Sequence, residues 1–148
     1  MQRELILKEF EDLKKANLLL KASVKKFKPY REKKIYSPEE LEYYDSLAFR
    51  FEKCMELFLN FFKGIELFLY SEISDTLRDR LLNMQKLNII DEIEFWMEAR
   101  LLRNKISHSY LPEELKDLYN EIIKKAKRIF GVIERIKRYL KNIEDKGI

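Results

Sequence analysis

The sequence predicts an all-α fold, an antiparallel bundle of about five helices, and three observations predict it. Glycine and proline occur three times each in 148 residues while 38% of the chain is charged, the composition of long helices with few turns. Apolar residues recur in alternating steps of four and three, the period that keeps them on one helical face. Helix-start signals punctuate these stretches. With 46% apolar residues a core can be buried, and residues 1–148 read as a single domain without an internal repeat or low-complexity tract.

Ile6, Phe10, Leu13, Asn17, Leu20, Val24 and Phe27 set the first packing face. The segment Lys25 to Lys34 then carries six basic residues against one acid, and Pro29 interrupts any helix, so an exposed basic linker is expected there. Ser37-Pro38-Glu39-Glu40 supplies a capping hydroxyl, a proline at the first helical position and a glutamate at the third. From that start Leu41, Tyr44, Ala48, Phe51, Met55, Phe58, Phe62, Ile65 and Leu69 keep the rhythm for about eight turns. Leu47, Cys54, Phe61 and Phe68 form a second column beside them. One stripe serves one bundle face, so this broad surface predicts burial on a second side, most simply in a homodimer.

Leu77, Leu81 and Met84 mark a short third helix. Asp91 and Glu94, in the N-cap and N3 relation, predict the start of a fourth, which carries Ile93, Trp96, Met97 and Arg100. The fifth starts near Pro112-Glu113-Glu114 and runs along Leu115, Leu118, Ile122, Ala126, Ile129, Ile133, Ile136, Leu140 and Ile143.

Several chemistries are excluded at this level. One cysteine, Cys54, forms no intrachain disulfide, and one cysteine with one histidine builds no Cys/His zinc site, so no metal and no cofactor is expected. Three scattered glycines make no phosphate loop. Met1-Gln2-Arg3-Glu4-Leu5 lacks a signal-peptide core, and Lys63 and Glu66 interrupt the run Met55 to Tyr70. A soluble, cytoplasmic protein with no membrane contact is the expectation. The net charge of +4 permits an acidic or nucleic-acid partner without requiring one.

The chemistry-bearing stretch is Arg103-Asn104-Lys105-Ile106-Ser107-His108-Ser109-Tyr110, which holds the one histidine. Imidazole is the side chain that titrates near neutrality. An arginine fork binds phosphate oxygens and stabilises developing charge, while the imidazole moves protons. For RNA the 2′-hydroxyl is an internal nucleophile, so an arginine and a histidine suffice without metal. On a regular helix, however, Arg103 and His108 lie about 140° apart, whereas Asn104 and His108 share a face. Convergence needs a helix end near Ser107 or a second protomer. Taken alone, the residues favour a plainer reading, in which His108 caps the last carbonyls of a helix and Arg103 complements its dipole. The cationic bias of the final helix, from Lys124 to Lys141, is read either as an RNA track or, preferably, as a solvated face. Trp96 and the phenylalanine column read as core, and Cys54 as a small buried hydrophobe.

These residues resemble a known family. Arg103-Asn104 with His108 and Tyr110 is similar to the arginine, four residues, histidine, any residue, tyrosine motif of HepT-type HEPN proteins, also called nucleotidyltransferase substrate-binding proteins. Leu47 to Leu57 resembles that family's Arg-Phe-Glu helix, and Trp96 to Tyr110 its tryptophan helix running into the motif. The likeness covers about residues 38 to 140, with Ser109 where many relatives carry threonine. It implies a HEPN-like dimer with the motif lining an interfacial cleft. It also implies a metal-independent endoribonuclease toxin of the HepT/MntA type, neutralised when a minimal nucleotidyltransferase antitoxin, MntA, transfers AMP to the motif tyrosine. Carried over by position, Arg103 clamps phosphate, Asn104 supports the site, His108 serves in acid-base catalysis and Tyr110 accepts AMP. The alternative is a non-catalytic helical partner subunit of a two-component nucleotidyltransferase.

Overall fold

In a computed structural model, residues 2–145 are described; Met1 and residues 146–148, the outer ends of the expected single domain, lie outside them. The described residues form six helical segments, α1 (Gln2–Lys25), α2 (Pro38–Tyr70), α3 (Leu77–Lys86), α4 (Ile93–Lys105), α5 (Pro112–Ile129) and α6 (Val132–Asp145), with no strand among them. α5 and α6 are the long fifth helix expected from the sequence, interrupted at Phe130 and Gly131. The apolar seam continues across the break, since Ile129, Val132 and Ile136 are all buried.

α2 begins where its capping box directs: the Ser37 hydroxyl accepts from the Glu40 amide at 3.2 Å and Glu40 Oε1 accepts from the Ser37 amide at 3.1 Å. It ends at Ser71, whose left-handed φ of 58° turns the chain while its amide bonds the Leu67 carbonyl. α1 runs antiparallel to α2 along its length. Phe10 meets Phe61 near one end, and the Tyr43 and Tyr44 hydroxyls donate to the carbonyls of Ser23 and Lys28 near the other.

α2 is the central helix, with α1, α3, α4 and α5 all packed on it. This explains its two apolar columns without a second protomer. Leu47, Cys54 and Phe61 are fully buried and Phe68 is packed against the core within one chain. The column that suggested a homodimer is therefore consumed by intramolecular packing. Burial also pushes the Cys54 thiol up to about 12, so it stays protonated. Trp96 is buried edge-on to Phe58 and Phe62, with ring centroids 5.1 Å from each.

One boundary differs from expectation. Glu92, not Asp91, occupies the N-cap of α4 and makes no side-chain cap. The Asp91 carboxylate accepts only from the adjacent Glu92 amide. Glu94, which a capping box would turn back, reaches Arg78 of α3 at 2.6 Å instead. That exposed ion pair and the burial of Ile89 and Ile90 set the entry into α4.

Glu66 is the buried carboxylate of the fold. Arg80 donates to it at 2.9 Å, Asn83 at 2.8 Å and the Ser74 amide at 3.2 Å, while the Ser74 hydroxyl makes a further bond. This knot ties the end of α2 to α3. No helix among the described residues is long and apolar enough to cross a membrane.

Candidate functional site

α4 delivers Arg103 into a cleft of about 300 Å³ between α2, the start of α3 and α4, where Lys63, Arg80 and Arg100 also line the wall. Arg80 is already held by Glu66. Lys63, Arg100 and Arg103 have no carboxylate within 4 Å among the described residues, so three cations face a cleft whose one acidic lining residue is Asp75. The first turn of α3, capped by Thr76 through the Asp79 amide at 3.1 Å, opens on the same space and adds the positive end of its dipole. Electrostatically this cleft suits a phosphate group.

α4 stops at Lys105, two residues before Ser107, near which a helix end was one of the two routes that could let Arg103 and His108 converge. The chain then turns: the Ile106 amide bonds the Arg103 carbonyl at 3.3 Å, and the His108 and Ser109 amides share the Lys105 carbonyl, each at 3.1 Å. The Ser109 hydroxyl joins them at 2.9 Å. Backbone and Ser109 thus perform the capping that the plainer reading gave to His108. The imidazole makes no hydrogen bond to the described residues and lies exposed.

The structure does not bring all four motif residues together in one chain. Arg103 is half-buried in the cleft, whereas His108 is not among its lining residues and Asn104 is exposed to solvent. Tyr110 is 78% exposed, and its amide approaches the Glu114 carboxylate at 3.4 Å at the entry to α5. Its phenol is open to solvent. Leu101, Tyr110 and Leu111 are large exposed apolar side chains in or beside this stretch. Phe49, 65% exposed, lies eleven residues before cleft-lining Asn60, which places it on the same strip of α2, about 16 Å away.

Lys63 and Arg100 were read from the sequence only as an interruption of an apolar run and as part of the fourth helix, not as site residues. Their signal is only the shared cleft, since one lies on α2 and the other on α4. The cations of α5 and α6 are largely committed: Lys125 pairs with Glu98 at 2.7 Å, Arg128 with Glu92 at 2.9 Å, and Arg135 bonds Asn88 at 3.2 Å. Among the described residues no three His, Cys, Asp or Glu side chains are grouped so as to hold a metal ion.

Bundle, cleft and open imidazole together define a small all-α protein with a cationic cleft beside α4. The chain belongs to the family of nucleotidyltransferase substrate-binding-like proteins, whose model matches residues 8–145. No curated protein and no solved structure matches it.

Proposed function

We propose that the chain is the toxin of a HEPN-type toxin-antitoxin pair, an endoribonuclease that acts as a homodimer and is silenced by its nucleotidyltransferase partner. The observation that carries this reading is a cleft with three uncompensated cations, Lys63 of α2 and Arg100 and Arg103 of α4, together with an exposed, unengaged His108 imidazole three residues past the end of α4 and outside that cleft. Arg103 and Arg100 hold the phosphate. His108 removes the proton of the ribose 2′-hydroxyl, whose oxygen attacks the adjacent phosphorus. The bond to the 5′-oxygen breaks, and a protonated imidazole supplies the proton that this oxygen takes up, leaving a 2′,3′-cyclic phosphate. A second protomer provides the second imidazole and covers the apolar side chains Leu101 and Phe49.

Inhibition follows from Tyr110. Its phenolic oxygen attacks the α-phosphorus of ATP, pyrophosphate leaves, and the phenol proton passes to solvent. The added phosphodiester places negative charge beside the cleft that binds RNA, competing for Arg103 and repelling the substrate.

Incubating the purified chain with total RNA in EDTA tests the catalytic part. Cleavage that His108→Ala and Arg103→Ala abolish is the expected result; no cleavage, or equal cleavage by the variants, overturns it. A second reading, a non-catalytic subunit that presents Tyr110 or another ligand to a nucleotidyltransferase, draws on the position of His108 outside the Arg103 cleft. AMP on Tyr110 after incubation with partner and ATP, together with inert behaviour toward RNA, selects that reading.

A further inference from the structure

A larger cleft lies elsewhere, under the connection between α1 and α2. It encloses about 840 Å³, and Lys26, Lys28, Arg31 and Lys34 stand on its wall with Tyr36 and Tyr43. Lys34 is paired with Glu40 at 2.7 Å and rests over the Tyr36 ring. Lys26, Lys28 and Arg31 have no carboxylate within 4 Å among the described residues, in contrast to the paired cations of α5 and α6. The neighbouring acid Glu32 is engaged by Lys116 at 3.7 Å.

The aromatic wall is rigid. Tyr36 stacks on buried Tyr30 at 4.8 Å, and Tyr30 lies edge-on to Tyr44 and Tyr119. The hydroxyls of Tyr36 and Tyr43 are committed to the backbone, one accepting from the Arg31 amide at 2.9 Å and the other donating to the Ser23 carbonyl at 2.6 Å. The Tyr36 ring is taken up by stacked Tyr30 and by Lys34 over it, so the ring surface left for a ligand is that of half-buried Tyr43. The N-terminus of α2 opens nearby, but its capping box already places the Glu40 carboxylate on it, so no phosphate cradle exists there. A compact small-molecule pocket fixes its ligand with a few convergent polar groups. Spaced cations beside a stacking face suit a strand of several phosphates.

We propose that this cleft docks single-stranded nucleic acid, with phosphates along Lys26, Lys28 and Arg31 and a base against Tyr43. The proposal stands apart from the ribonuclease reading, because it requires neither His108 nor Tyr110.

The test is fluorescence anisotropy of a labelled oligouridine fifteen-mer on the His108→Ala chain, chosen so that the oligonucleotide stays uncleaved. Lys26→Ala, Lys28→Ala and Arg31→Ala combined should weaken binding at least tenfold at low salt. They should also flatten the dependence of log affinity on log salt by about two, at about 0.7 for each single-strand phosphate that the three cations neutralise. The three side chains are exposed, and circular dichroism checks that the helices persist; Arg31→Lys, which keeps the charge, should bind like the parent. Absence of oligomer binding overturns the proposal, as does unchanged affinity and slope in the triple variant. Loss of binding from Lys63→Ala and Arg103→Ala alone would assign the strand to the α4 cleft instead. Displacement of the oligomer by ATP at matched concentration would make the site a mononucleotide pocket, which likewise overturns it. RNA cleavage by the wild-type chain is read separately, so the two readings fail independently.

Discussion

Ser109 gives both its amide and its hydroxyl to the carbonyl of Lys105, at 3.1 and 2.9 Å, and so fastens the residue between His108 and Tyr110 to the end of α4. The two flanking side chains project from an anchored backbone rather than from a free loop. Ser109→Ala should cost about 0.5–1 kcal/mol in urea unfolding, the worth of one such bond, and should lower RNA cleavage more than thermal stability. Ser109→Thr keeps the hydroxyl and should restore both. Equal cleavage by wild type and Ser109→Ala would show that the anchor does not position the imidazole.

Glu66 is the fold's most concentrated polar commitment. Burial pushes its carboxyl up, but the bonds from Ser74, Asn83 and Arg80 outweigh that and hold it below its ordinary 4.5. A carboxylate lowered in the folded state stabilises above the unfolded value, and the contribution is lost as pH falls through the folded one. Stability measured by denaturant should therefore drop on acidification below about 4.5, with a smaller drop in Glu66→Gln. Glu66→Ala, which strands Arg80, should cost about 3 kcal/mol.

Glu9 behaves in the opposite sense. A Cβ at Gly64 would lie 2.8 Å from Glu9 Oε2, so this glycine lets the carboxylate of α1 press onto α2. Burial, with the Asp12 charge second, holds that carboxyl above 4.5, and Oε2 has no hydrogen-bond partner. For a raised carboxyl the stabilising contribution is complete below the unfolded value and disappears as pH rises through the folded one. At pH 7 Glu9 thus opposes folding. Glu9→Gln should raise the melting temperature at pH 7 and make no difference near pH 3; a fall at pH 7 would contradict this.

The proposed dimer has a direct check in Leu101, which is 61% exposed on the helix that carries Arg103. Leu101→Asp should shift sedimentation from dimer to monomer and reduce cleavage with it, while the circular dichroism spectrum stays unchanged. A wild-type chain that sediments as a monomer at all concentrations removes the dimer from the reading.

The bundle was legible in the sequence because its information is periodic. Ile6, Phe10, Leu13, Leu20, Tyr44, Phe51, Phe58 and Ile65 all fall on buried faces as their spacing requires. Ser37 announced its cap through local chemistry alone. Three features were not legible. The width of the apolar face on α2 states how much is buried but not by whom, and four neighbours within the chain supply the answer. Asp91 and Glu94 had the right spacing for a cap, but Arg78, distant in sequence, takes Glu94 away. The Arg103 cleft depends on Lys63, forty residues earlier, a relation that only packing creates. For the motif, spacing showed that Arg103 and His108 do not meet on a regular helix, and it could not show that Ser109 would close the helix end.

The strap from Ser107 to Leu111 contributes no side chain to the buried core. Apart from Ser109, which holds the end of α4, its side chains are therefore not constrained by packing. Inheritance can rewrite His108 or Tyr110 at almost no penalty to the bundle, so active and silent descendants of one ancestor would share the same scaffold, melt alike and differ only in these few letters.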